Sequence, residues 1–181
     1  MKKVFLAAVT LISVAFVGNA NAQNTTAEVN VNIKLYKVQS ISVSTPSVDL
    51  EYKTEADYRT GVTTAVNDHL VVFSTGGFIV KVKAESDFMK GSSESIAANT
   101  VQVIAADGSK KPTGTLNYAD NLMLSTTQAP LITSGKGGAD LKFKISYKGG
   151  FGDDYIVDRF KNGDGNPNIY TAKVTYEIVP N

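Results

Sequence analysis

Apolar and polar residues alternate with a period of two along much of this chain. The pattern is densest in His69-Leu70-Val71-Val72-Phe73-Ser74-Thr75-Gly76-Gly77-Phe78-Ile79-Val80-Lys81-Val82-Lys83-Ala84. This stretch predicts two strands meeting at Gly76-Gly77. With those glycines as the turn of a hairpin, Phe73 lies opposite Val80 and Val71 opposite Val82. Val71, Phe73, Phe78, Val80 and Val82 then form one apolar face, and Leu70, Val72, Ser74, Ile79, Lys81 and Lys83 form a mixed face that meets water. A sheet with one apolar face must bury it, usually against a second sheet.

The same period recurs on both sides of this stretch. Val29, Val31, Ile33 and Leu35 alternate with Glu28, Asn30, Asn32 and Lys34, which reads as a half-buried strand over 28–35. Val38, Ile41 and Val43 predict another strand ending before Pro46, and Val48, Leu50 and Tyr52 keep the phase. Thr54 to Val66 is polar and reads as a loop with one helical turn starting at Thr54; Asp87 to Asn99 reads as a loop with Gly91-Ser92-Ser93 at its tip. Val101, Val103 and Ala105 mark a strand over 100–105, and Asp107-Gly108 and Lys111-Pro112 are turn signals. Weaker strands are predicted at Leu116–Tyr118, Leu122–Leu124 and Gln128–Ile132. After the breaker Ser134-Gly135-Lys136-Gly137-Gly138, Leu141, Phe143, Ile145 and Tyr147 point inward on a strong strand. Gly149 to Asn168 is a long insertion, with a short helix predicted over 155–160. The chain closes with a strand through Tyr170, Ala172, Val174, Tyr176 and Ile178.

Many short alternating runs separated by turn residues, with no long helical period, predict an all-β fold. The lack of strand–helix–strand alternation argues against a parallel sheet. The expected architecture is one Greek-key, immunoglobulin-like sandwich of two sheets, with a small barrel as the alternative.

The closing run Tyr170-Thr-Ala-x-Val-Thr-Tyr-x-Ile, the Ser74-Thr-Gly-Gly-Phe-x-Val-x-Val-x-Ala stretch and the early Val-x-Val-x-Ile-x-Leu run together resemble secreted bacterial surface β-sandwiches of the fimbrial-adhesin and WxL-like kind. The resemblance implies an extracellular structural or adhesive role and no catalytic residue. Strand exchange follows as an expectation from the 28–35 run itself: an alternating terminal strand can leave its own sheet and complete a neighbour's. Partners would be other surface subunits or further copies of this chain.

The start of the chain leads to an expectation about compartment. Met1-Lys2-Lys3 is a basic head, Val4 to Val17 an apolar run, and Ala20-Asn21-Ala22 a small-x-small cleavage signature. The reading is a signal peptide over 1–22, cleaved after Ala22, followed by a β-sandwich domain over 23–181 that is secreted to a periplasm or cell surface. The apolar run is short of the roughly 20 residues a spanning helix needs, and no other segment reaches that length. Without Lys2 and Lys3 the chain carries 16 basic and 17 acidic side chains, and Arg59 and Arg159 are its two arginines. That balance gives no electrostatic footprint for nucleic acid. The chain has no cysteine, so its stability in an oxidising compartment must come from a core rather than from disulfides.

Candidate chemistry is sparse. His69, the one histidine, follows Asp68, yet no Gly-x-Ser-x-Gly elbow accompanies it, and it reads as a surface residue at a strand start. Zinc needs several His or Cys ligands, which a chain with one His and no Cys does not offer. Asp153-Asp154, on a strand, would point to opposite faces rather than act as a pair. Oxygen ligands at alternating positions in Asn162-Gly163-Asp164-Gly165-Asn166-Pro167-Asn168 suit calcium, with Asn162, Asp164 and Asn166 as its ligands, although the same residues make ordinary turns. No other cofactor is implied. Most of the eight tyrosines read as core; Tyr58 and Tyr155, in predicted loops, are the two expected to contact a ligand. The leading expectation is an exported non-catalytic structural or adhesive protein. The alternative is a secreted module that binds a glycan or peptide through the 54–66 and 149–168 loops.

Overall fold

The computed structural model describes residues 26–91, 94–157, 159 and 166–181. The leader 1–22 and the predicted ligands Asn162 and Asp164 lie outside the described residues. The chain divides into an N-terminal unit ending at Lys34 and a second unit, Leu35–Asn181.

In the N-terminal unit, described from Thr26, the alternating run forms no strand. Val29, Val31 and Ile33 are each 83% exposed, and Leu35, at the start of the second unit, is 89% exposed. The strand expected over 28–35 is therefore not part of a sheet. The pattern that would fill one face of a strand is present, but among the described residues no second strand pairs with it.

The second unit is all-β with antiparallel sheets packed together. Its strands are β1 (Gln39–Val43), β2 (Thr63–Ser74), β3 (Phe78–Ala84), β4 (Phe88–Lys90), β5 (Glu94–Ile96), β6 (Gln102–Asp107), β7 (Leu116–Tyr118), β8 (Leu122–Met123), β9 (Ala129–Ser134), β10 (Gly138–Lys148) and β11 (Val174–Pro180). Helix α1 spans Glu55–Thr60, and the short α2 spans Asp153–Ile156. One sheet runs β1-β2-β10-β6-β8 and the other β11-β3-β9-β7, while β4 and β5 pair separately within the region expected to be a loop. The core between the sheets is built from Leu70, Val72, Val103, Phe143 and Ile145 on one side and Phe78, Val80, Val82 and Ile132 on the other. Phe78 and Phe143 meet edge to face across it, 6.2 Å between centroids.

The predicted hairpin at Gly76-Gly77 does not form. β2 pairs with β1 and β10, whereas β3 pairs with β11 and β9, so the turn carries the chain from one sheet to the other. The inward set on β2 is Leu70, Val72 and Ser74, and Phe73 faces out. The physical reason is that a hairpin would lay two apolar faces side by side and still require a covering layer. The arch instead turns the Leu70, Val72 and Ser74 face of β2, expected to meet water, onto the Phe78, Val80 and Val82 face of β3 and buries both, leaving Val71 and Phe73 on the outer side.

A second arch, Ser134 to Gly138, returns the chain from β9 to β10, and the two stack: Ser74 lies opposite Gly138, and Phe78 opposite Ser134. Each arch is tied by its own buried serine. Ser74 Oγ donates to Gly76 O (2.6 Å), and Ser134 Oγ donates to Lys136 O (2.7 Å). The glycines permit the stacking, since a Cβ on Gly137 would sit 2.0 Å from Ser74 O and one on Gly77 would sit 3.0 Å from Ser134 O.

Two irregularities break simple alternation. Between the pairs Val66↔Ile145 and Leu70↔Phe143, β2 carries extra residues, and Asp68 takes a positive φ of 52°. That bulge turns both His69 and Leu70 inward. On β9 a similar shift between Val80↔Ile132 and Lys81↔Pro130 buries the neighbours Leu131 and Ile132 together.

Candidate functional site

The two tyrosines expected to contact a ligand are brought together. Thr54 caps α1: its Oγ1 accepts from Asp57 N (3.3 Å), while the Asp57 carboxylate accepts from Thr54 N (2.8 Å) and Lys53 N (3.0 Å). Those amide hydrogen bonds hold the Asp57 carboxyl below its usual range. Arg59 reaches back one turn to Glu55 (2.8 and 2.5 Å). The helix ends at Gly61, whose φ of 79° and tight approach to Gly149 O, 2.5 Å from where a Cβ would sit, both require glycine.

α1 thus presents Tyr58 at one end of the unit, and α2 presents Tyr155 beside it. Gly152 N donates to Tyr58 O (2.9 Å), fixing the two segments to each other. Tyr52 joins them: its ring stacks on Tyr155 at 4.9 Å and tilts against Tyr58 at 5.3 Å. The three hydroxyls have partners within the protein. Tyr52 donates to Gly150 O (2.6 Å), Tyr58 to Tyr52 O (3.4 Å), and Tyr155 pairs with Thr100 Oγ1 (2.8 Å) and accepts from Gly150 N (3.2 Å). Burial, then the neighbouring Tyr155, pushes the Tyr52 phenol well above its ordinary range, so it stays neutral.

What remains free is ring surface. Tyr58, Tyr155, Ile156 and Glu55 line an open pocket of about 310 Å³, apolar apart from the Glu55 carboxylate at its rim. The pocket can hold an apolar or planar group against its walls. Asp153 and Asp154, expected on opposite faces of a strand, instead occupy the first turn of α2.

Beside this end, the β4–β5 pair is fastened to the chain before β11. Arg159 donates to Ser95 O (2.7 Å) and Asp154 O (2.9 Å), Lys90 donates to Asn168 Oδ1 (2.7 Å), and Tyr170 donates to Glu94 (3.0 Å). The closing strand accordingly begins at Val174 rather than Tyr170, whose side chain is used in this network. Asn166, the described member of the predicted calcium set, is exposed. Among the described residues no group of three or more His, Cys, Asp or Glu side chains is gathered to hold a metal. A second depression, about 590 Å³ and polar, lies over β3 and β11 with Lys83, Glu85, Gln128, Thr175 and Glu177 along it.

His69 is not a surface residue at a strand start. It lies within β2 and is 2% exposed. Its Nε2 is 3.1 Å from Tyr147 Oη, which is 2.6 Å from Tyr176 Oη. Nothing in the alternation signals this, because the bulge at Asp68 is what turns the imidazole inward. Tyr52 was equally hidden: it keeps the strand phase of Val48 and Leu50, and its role appears only when Gly149-Gly150 folds beneath its hydroxyl.

No known protein family matches this chain, and no curated protein is similar to it. No helix among the described residues is long and apolar enough to cross a membrane.

Proposed function

We propose that this chain is an exported, non-catalytic structural or adhesive cell-surface subunit, freed by cleavage after Ala22. In this reading its domain is a Greek-key, immunoglobulin-like sandwich that assembles by β-strand addition. One observation carries the reading: residues 29–35 hold four alternating apolar side chains, each more than four-fifths exposed, in a segment with no strand partner among the described residues. Such a segment has every feature of a strand except a sheet, and a sheet edge of another copy or another subunit supplies what it lacks. Isolated, it leaves apolar surface in water at a cost of about 25 cal/mol per Å². Deletion of residues 24–36 should leave a folded domain that no longer forms filaments or oligomers by electron microscopy. Assemblies that persist unaltered after the deletion rule out strand exchange.

A second reading has its own support. Tyr58 and Tyr155 come from segments almost a hundred residues apart and line one pocket with Ile156, which favours a glycan- or peptide-binding module working through that end of the domain. A glycan array on the mature protein tests it, with binding lost in Tyr58→Ala and Tyr155→Ala. Calcium bound by Asn162, Asp164 and Asn166 would raise the melting midpoint over that in chelator; an unchanged midpoint dismisses that site.

A further inference from the structure

We propose that His69, Tyr147 and Tyr176 form an acid-sensitive latch that fastens the edge strand β11 to the opposite sheet. The three side chains make a continuous chain from β2 through β10 to β11, with His69 and Tyr147 buried and Tyr176 half-buried. His69 Nε2 lies 3.1 Å from Tyr147 Oη, and Tyr147 Oη lies 2.6 Å from Tyr176 Oη. The imidazole stands edge-on to both rings, with centroids 5.9 Å from Tyr147 and 6.3 Å from Tyr176. Tyr176 therefore closes the site over His69.

The other ring nitrogen decides how the latch responds to protons. His69 Nδ1 is buried and has no hydrogen-bond partner among the described residues. An N–H there would be a buried donor without an acceptor, so the neutral ring carries its proton on Nε2 and donates it to Tyr147. Uptake of a second proton at Nδ1 creates that unpaired donor and a cation in an apolar interior. Among the described residues, the carboxylates on the neighbouring segments are engaged elsewhere. Asp68, next in the chain, accepts from Ser109 N (2.8 Å) and Oγ (2.6 Å) and pairs with Lys142 (3.6 Å). Glu177 on β11 accepts from Gln128, and Lys81 and Lys83 on β3 alternate with the buried Val80 and Val82, as Lys144 and Lys148 on β10 do with Ile145 and Tyr147. β1 carries no titratable side chain.

Burial accordingly holds the His69 imidazole below its ordinary range. The folded state then binds fewer protons than the unfolded chain. Stability from this site is complete above pH about 6.5 and is lost as pH falls through the lower folded value. The element that can yield is β11, which ends its sheet and pairs with β3 alone. Protonation of His69 would release Tyr176 and with it the hold on β11.

The single histidine makes the test direct. In the full mature chain, the imidazole is followed by NMR from pH 7.5 to 5 while amide exchange is read along β11 and β10 and corrected for intrinsic rates. The latch predicts that β11 protection falls at least tenfold between pH 7 and 5, in step with His69 protonation, while β10 amides hold. Tyr176→Phe should give fast β11 exchange already at pH 7, and His69→Leu should remove the pH dependence. β11 protection that stays constant across this range, or that falls equally in His69→Leu, overturns the proposal. Should His69→Leu fail to fold, the wild-type titration alone decides: an imidazole that protonates near its ordinary value with β11 still protected is contrary to it.

Discussion

Residues 29–35 and residues 141–147 carry the same pattern and meet opposite fates. Each has four apolar side chains at alternate positions with polar or charged residues between them. Leu141, Phe143, Ile145 and Tyr147 are buried in β10, which is paired on both sides by β2 and β6. Val29, Val31, Ile33 and Leu35 are exposed in a segment that is not a strand. Alternation therefore specifies a face and says nothing about the partner that will cover it. A strand is stable only when neighbours supply both its hydrogen bonds and its apolar cover.

The largest expected effect comes from emptying the covered face. Phe143→Ala leaves a cavity opposite Phe78 and should cost about 3–5 kcal/mol in denaturant unfolding. The matching change in the uncovered run, Ile33→Ala, should leave the unfolding midpoint of the isolated chain unmoved and weaken assembly instead. A drop in stability from Ile33→Ala would erase the contrast. Gly137→Ala should come next. Its Cβ would meet Ser74 O, a backbone atom that cannot turn aside, and the expected loss is about 1–3 kcal/mol for overpacking, read from the same unfolding curves.

Thr54→Ala removes the cap of α1 and should cost about 1 kcal/mol. It should also loosen Tyr58, seen as faster exchange of the α1 amides. The smallest effect belongs to the surface carboxylates. Hydrogen bonds from Ser109 hold Asp68 below its usual range, and those from Lys111 and Tyr118 do the same for Asp107. Their contribution is present above pH about 4 and lost as pH falls further, which separates it in a pH-dependent melt from any change between pH 7 and 5.

The sequence made the layers legible and left the connections obscure. The inward residues of β6, β10 and β11 follow from period two, and the helical turn starting at Thr54 and the breaker at 134–138 follow from local turn chemistry. The arch at Gly76-Gly77 was not legible. Ser74 and Gly77 fit a hairpin as well as an arch, and only the stacking against Ser134–Gly138 distinguishes them. Burial of His69 depends on the β2 bulge, a two-strand property that a single strand's pattern does not carry. At the candidate site, Tyr58 and Tyr155 were readable as loop aromatics. Tyr52 was not, because its contact with Gly150 spans nearly a hundred residues.

The central proposal is that residues 29–35 form a strand only on the sheet of another molecule. Hydrogen exchange of their backbone amides, measured once in dilute mature protein and once in its assembled form, tests this most directly. The account predicts exchange at open-chain rates when dilute and protection of alternate amides after assembly, with the 142–146 amides protected in both. Assemblies in which residues 29–35 continue to exchange freely would contradict it.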